Sequence, residues 1–208
     1  MKFISIDIET TGLDPESCQI LQIGAVIEDT QNVLPYDQLP KFQCIIENES
    51  YSGSPFALSL NSWILKILGG LENKTKEERL AYRKEHNILP VGLVAKSFQM
   101  WLITNGFPCE TTGGVKINAA GKNFASFDKV FLQKLPNWGS SIQIRQRIID
   151  PAILLMDWQT DESLPNLQTC MNRCGLSGEV THDALQDALD VVRVIRLVTD
   201  SYQSTGLI

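Results

Sequence analysis

The sequence predicts an α/β fold, with one mixed β-sheet covered by helices. Three observations carry this. Three strand-like segments come first, joined by short connections that favour an antiparallel meander. Helix-like and strand-like segments then alternate to the end of the chain. No repeat, low-complexity tract or linker interrupts the 208 residues, so 1–208 reads as a single domain with a full core. Hydrophobic residues make up 43% and charged residues 20%, which excludes a disordered tail or a coiled coil.

Each element has its own signal. Phe3, Ile4, Ile6 and Ile8 mark the first strand. Residues 20–27, QILQIGAVI with its leading Gln19, mark the second, and residues 42–46, FQCII, the third. Leu58, Trp63, Ile64 and Ile67 predict one helix over residues 55–68. The segment 72–86 carries five Lys/Arg residues and reads as an exposed helix, a charged helical insertion around 70–90. Another helix follows over 93–103. In the second half the pattern predicts a strand at 115–119, a helix at 124–135 and a strand at 147–150 ending at Pro151. Two more helices follow, at 165–174 and 183–200.

Bulk properties exclude several classes. A net charge of −6 rules out a binder that relies on a broad basic surface, although metal ions or a local groove can reverse the sign. Five cysteines form no CxxC pair, and the odd count argues against a disulfide framework or zinc cluster. They read as reduced, mostly buried thiols of a cytoplasmic protein. Asp7 and Glu9 interrupt the apolar core a signal peptide would need. No run approaches the roughly 18 apolar residues of a membrane span.

The candidate site begins with carboxylates in unusual places. Asp7 and Glu9 lie two apart on the first strand, so their side chains share one face and repel each other. Asp128 lies beside the stripe of Phe124, Phe127, Phe131 and Leu135. In THDALQDALDVVRVIRLV, Ala184, Ala188, Val191, Ile195 and Val198 form a helical stripe. Asp183 suits the N-cap with Gln186 at N3, which resembles a capping box. That leaves His182 just outside the helix and Asp187 leaning inward. Taken singly, these residues read as a helix-terminus carboxylate and a structural histidine. Together they are four inward carboxylates without an obvious basic partner. Two divalent cations about 3.5 to 4 Å apart would neutralise them. Oxygen ligands without clustered Cys or His favour Mg²⁺ or Mn²⁺ over zinc.

Three motifs in order give these residues a family context: DIETTGL from Asp7, GKNFASFDKVFL from Gly121, and HDALQD from His182. The set resembles the DEDDh-type (DnaQ-like) 3′→5′ exonucleases, which include polymerase proofreading subunits, RNase T and oligoribonuclease. The resemblance implies an RNase H-like fold, a five-stranded mixed sheet with helices on both faces. It implies Asp7, Glu9, Asp128 and Asp187 as ligands of two cations, and His182 as general base. Thr10, Thr11 and Leu13 would hold the terminal nucleotide. Asn123 matches the asparagine before the second acidic residue, and Asn61 falls where relatives place a residue near the terminal base.

The implied activity is release of nucleoside 5′-monophosphates from the 3′ end of single-stranded nucleic acid, DNA ahead of RNA. A polymerase or a repair protein would be a possible partner. Lys122, Lys129, Arg145 and Arg147 are available to track the backbone. The rivals are an RNA-processing exoribonuclease, a catalytically silent nucleic-acid-binding module on the same fold, and a structural cation-binding protein. The dispersed carboxylates do not suit a calcium loop of the EF-hand kind.

Overall fold

The structure is a computed structural model that describes residues 1–111 and 113–204. Its strands are β1 (Lys2–Thr10), β2 (Ile20–Asp29), β3 (Lys41–Glu47), β4 (Ile88–Pro90), β5 (Val115–Ile117), β6 (Ala119–Ala120) and β7 (Ile142–Ile144). Its helices are α1 (Pro55–Leu60), α2 (Ser62–Gly69), α3 (Lys76–Glu85), α4 (Val94–Thr104), α5 (Asp128–Leu132), α6 (Trp138–Ser141), α7 (Leu167–Arg173) and α8 (Ala184–Ser204).

The main sheet has five strands in the order β4-β3-β2-β1-β6. β1, β2 and β3 form the expected antiparallel meander. β4 joins β3 and β6 joins β1, both in parallel. Period-2 alternation gives the sheet two apolar faces. Ile4, Ile6 and Ile8 pack on one side with Ile23, Ala25 and Ile27, against Phe98 and Leu102 of α4 and Phe131 and Leu132 of α5. Phe3 and Val26 face the other way, onto α7 and α8. Helices therefore cover both faces. Among the described residues, no helix is long and apolar enough to cross a membrane.

The second face carries the site. Asp7 pairs in register with Gly24, and Glu9 with Gln22. A Cβ on Gly24 would meet the Ala184 carbonyl carbon and the Leu185 nitrogen, each at 2.1 Å. The missing side chain lets the start of α8 lie directly on the sheet beside Asp7. A register shift between Glu9 and Thr10 then ends regular pairing where the chain leaves the sheet.

Several predicted elements differ. The helix expected at 55–68 is two helices broken at Asn61, whose buried side chain turns away to donate to the Thr10 carbonyl at 3.1 Å. The strand expected at 115–119 is two strands in different sheets, since β5 pairs with β7 and β6 with β1. The helix expected at 124–135 is helical only from Asp128 to Leu132. Asn123 adopts a left-handed backbone (φ +56°), and turns occupy the residues up to Phe127. Residues 147–150 form no strand, only a single bridge from Ile149 to Ala120. The fifth strand of the main sheet is instead β4, three residues at the end of the charged segment. Of the five thiols, only Cys44 and Cys170 are buried, and Cys109 is exposed.

The charged segment is helical, with a complete capping box between Thr75 and Glu78. It is not simply a solvated face. Arg79 and Arg83 both reach Glu47 of β3, at 2.9 and 2.7 Å, and hold its carboxyl below the ordinary range.

Candidate active site

α8 begins on Asp183, which acts as the expected N-cap. Its Oδ1 accepts from the Gln186 N–H at 3.0 Å, and its Oδ2 accepts from Gln22 at 3.1 Å and Gln43 at 3.2 Å. The return arm of a capping box is not made, because the Gln186 amide donates to Asp190 instead. Gln22 closes the joint by accepting from the Ala184 N–H at 3.0 Å. The sheet thus grips the first turn of α8, and Asp187 comes down beside Asp7 and Glu9.

Asp7, Glu9, His182 and Asp187 line one cavity of about 620 Å³, with Thr10, Leu13, Asn61 and Lys122 in its wall. Ligand atoms of Glu9, His182 and Asp187 all lie within 4.8 Å of one another. His182 is exposed and has a left-handed backbone (φ +53°), which turns the chain just before the helix. Asp128 sits behind β1, buried, and accepts from the Ile8 N–H at 3.1 Å. Two neighbouring strand residues are therefore tied to the site, Asp7 by its carboxyl and Ile8 by its backbone.

Electrostatics reflect this crowding. Burial, with the charges of Asp128, Asp187 and Glu9 nearby, holds the Asp7 carboxyl well above the usual range. Burial pushes Glu9 to about 7, with the Asn61 amide opposing. Burial pushes Asp128 to about 8, and Asp187 to about 6. Four carboxyls on one small volume resist ionising together. The donor set, mostly carboxylate oxygen with one imidazole, fits hard divalent cations.

Other residues surround this centre. Thr10 donates its hydroxyl to the Gly12 carbonyl at 2.7 Å and shapes the loop that carries Leu13. Leu13 and Phe56 stand 84% and 77% exposed at the mouth, an apolar rim around acidic walls. Asn61 is buried, and its Oδ1 has no hydrogen-bond partner among the described residues. Asp128, Thr11 and Asn123 do not line the cavity. Thr11 is buried and donates to the Ser52 carbonyl at 2.6 Å, while Asn123 accepts from Ser126 at 2.7 Å. Sequence reasoning missed Phe56, Phe127, Leu167 and Val180 in the lining, because nothing in one sequence separates an apolar residue that lines a cavity from one that fills the core. It also missed a clamp on the His182 loop. Gln168 of α7 donates to the Gly178 carbonyl at 3.0 Å and accepts from the Val180 N–H at 2.8 Å.

No family model matches the sequence, and no curated relative does. Solved structures do. Cell-death related nuclease 4 superposes with a TM-score of 0.60 at 14% identity, over 96% of this chain and 64% of that one. Exonuclease I of E. coli, described in complex with a dT13 oligonucleotide, gives 0.59 at 15%, over 99% and 42%. A 3′-exonuclease described with a histone mRNA stem-loop gives 0.59 at 15%, over 96% and 82%. The chain spans less than two thirds of the length of the first two. At these identities the likeness speaks for architecture, and the chain has the RNase H-like α/β fold that these nucleases share.

Proposed function

We infer that the chain is a metal-dependent 3′→5′ exonuclease that removes nucleoside 5′-monophosphates from single-stranded nucleic acid. One observation carries this reading: acidic side chains from β1 and α8, with His182, line one open cavity, and the buried Asp128 carboxyl of α5 is tied to the backbone of Ile8 in its wall. A protein that only binds strands gains nothing from buried carboxyls that repel a polyanion. The 3′ polarity is supported by the fold neighbours described as acting on 3′ ends.

Asp7, Glu9, Asp187 and Asp128 are the residues that would hold divalent cations, two in this reading. Such ions, when bound, supply positive charge for the phosphate and acidify the attacking water. The chain's own residues do the rest. His182, exposed at the edge of the cavity, accepts the proton of the attacking water through a neutral ring nitrogen. Asp187 and Glu9 face that imidazole, with ligand atoms of all three within 4.8 Å of one another. Leu13 and Phe56 give the terminal nucleoside an apolar seat, while the Thr10 hydroxyl keeps the Leu13 loop in shape.

The test is direct. The protein is incubated with 5′-labelled single-stranded DNA and with RNA, in Mg²⁺, Mn²⁺ or EDTA. A ladder that shortens from the 3′ end in either metal and stops in EDTA is expected. Intact strands under all conditions would remove the reading. Since fold neighbours are described with DNA and with mRNA, the two substrates are compared in the same assay.

A further inference from the structure

We propose that Lys122 binds the phosphate backbone of the substrate strand, an assignment that rests on the nuclease reading. The backbone places it. Gly121 follows β6 so closely against β1 that a Cβ there would meet the Ile6 carbonyl at 2.8 Å. The Gly121 N–H donates to the Ile149 carbonyl at 3.1 Å, and the Asn123 N–H to Asp150 at 2.9 Å. Lys122 is thus pinned from both sides, just past the end of β6, the strand that pairs with β1 and its Asp7.

Its side chain is 17% exposed and lines the same cavity as Asp7, Glu9 and Asp187. Among the described residues of that lining it is the one Lys or Arg. Asp150 is its nearest counter-charge, but Nζ stands 3.6 Å from Oδ2, beyond ordinary hydrogen-bond length. The Asp150 oxygens already accept from the Asn123 and Ala152 N–H groups, each at 2.9 Å. Asp150 therefore holds the ammonium near the wall by charge and leaves its three donors for a ligand. A fixed ammonium in an acidic cavity suits a phosphodiester oxygen, for which lysine serves as a point charge.

The competing explanation is that Lys122 only balances Asp150, and binding separates the two. A 5′-fluorescein oligothymidylate of about ten nucleotides, within the site sizes of single-strand binders, is titrated with the whole chain. Ca²⁺ replaces Mg²⁺ to leave the strand uncut, anisotropy is read, and the salt is varied. Lys122→Met is expected to weaken binding about tenfold or more. It should also lower the slope of log affinity against log salt by about 0.7, one phosphate contact on a single strand. Lys122→Arg keeps the slope.

The double variant K122M/D150N leaves no unpaired acid and keeps one of the two backbone bonds of Asp150 through the asparagine oxygen. Its melt is recorded beside that of K122M, and it should bind as weakly as K122M. Wild-type affinity and slope in the double variant would assign Lys122 to Asp150 alone and overturn the proposal, while a 3′ ladder from the wild type keeps the nuclease reading. A wild type that neither binds nor shortens the strand overturns both.

Discussion

At the scale of single residues, His182 combines two demands. Its ring must reach the cavity of Glu9 and Asp187, and its backbone must hold a left-handed turn (φ +53°) before α8. Alanine tests the two together, because it also strains the turn by about 1 kcal/mol or more. Asparagine tolerates that backbone and tests the ring alone. His182→Asn should therefore lose roughly 10²- to 10⁴-fold in turnover with Mg²⁺ while its Tm stays near that of the wild type. Single-turnover rates check this, and a loss below tenfold would take the role of base away from His182. Glu9 and Asp187 were legible in the sequence as inward carboxylates, because strand and helix periods place side chains on faces. The exposed Phe56 was not, and Lys122 was legible only as one of four basic candidates, because their roles depend on which loops come together.

At the scale of elements, two joints set the site. The first is the contact of α8 with Gly24 of β2, where a Cβ would enter the backbone of Ala184 and Leu185. A methyl group at Gly24 has no flexible neighbour to displace, so the helix must move. Gly24→Ala should cost about 3 kcal/mol, or roughly 6 to 12 °C in Tm. A thermal melt unchanged within a degree would show that α8 does not sit there. The second joint is Gln168, which fastens the loop between α7 and α8 through Gly178 and Val180. Gln168→Met keeps the length of the side chain and removes both bonds. It should lower kcat about tenfold, since displacements near 1 Å cost up to about 100-fold, with a smaller change in KM. An unchanged kcat would detach this clamp from the base. The charged helix α3 is fastened to a different part of the sheet, through Glu47.

At the scale of the whole molecule, the buried acids set how stability responds to pH and metal. Glu9, Asp187 and Asp128 have folded-state values raised to about 7, 6 and 8. A raised carboxyl stabilises the fold while protonated. Its contribution is complete below its unfolded value and is lost as pH rises through the folded one. Asp161, held down to about 2 by Arg173, acts only below this window. In EDTA, Tm should fall as pH rises from about 5 to 8. Mg²⁺ should return most of the loss at the upper end, because it binds the ionised form. Calorimetry across that range checks both, and a Tm that rises in EDTA would contradict the crowding of the carboxyls. The sequence by itself determined the three-strand meander, the long helix α8 and the segments that carry the acids, since periods of 2 and 3.6 are written locally in runs of this length. Only the tertiary structure decided the three-residue β4, the break at Asn61 and the Lys122 wall. It also decided how closely β1, α5 and α8 approach, because short strands and left-handed turns take their shape from distant partners such as Ile45, Thr10 and Gly24.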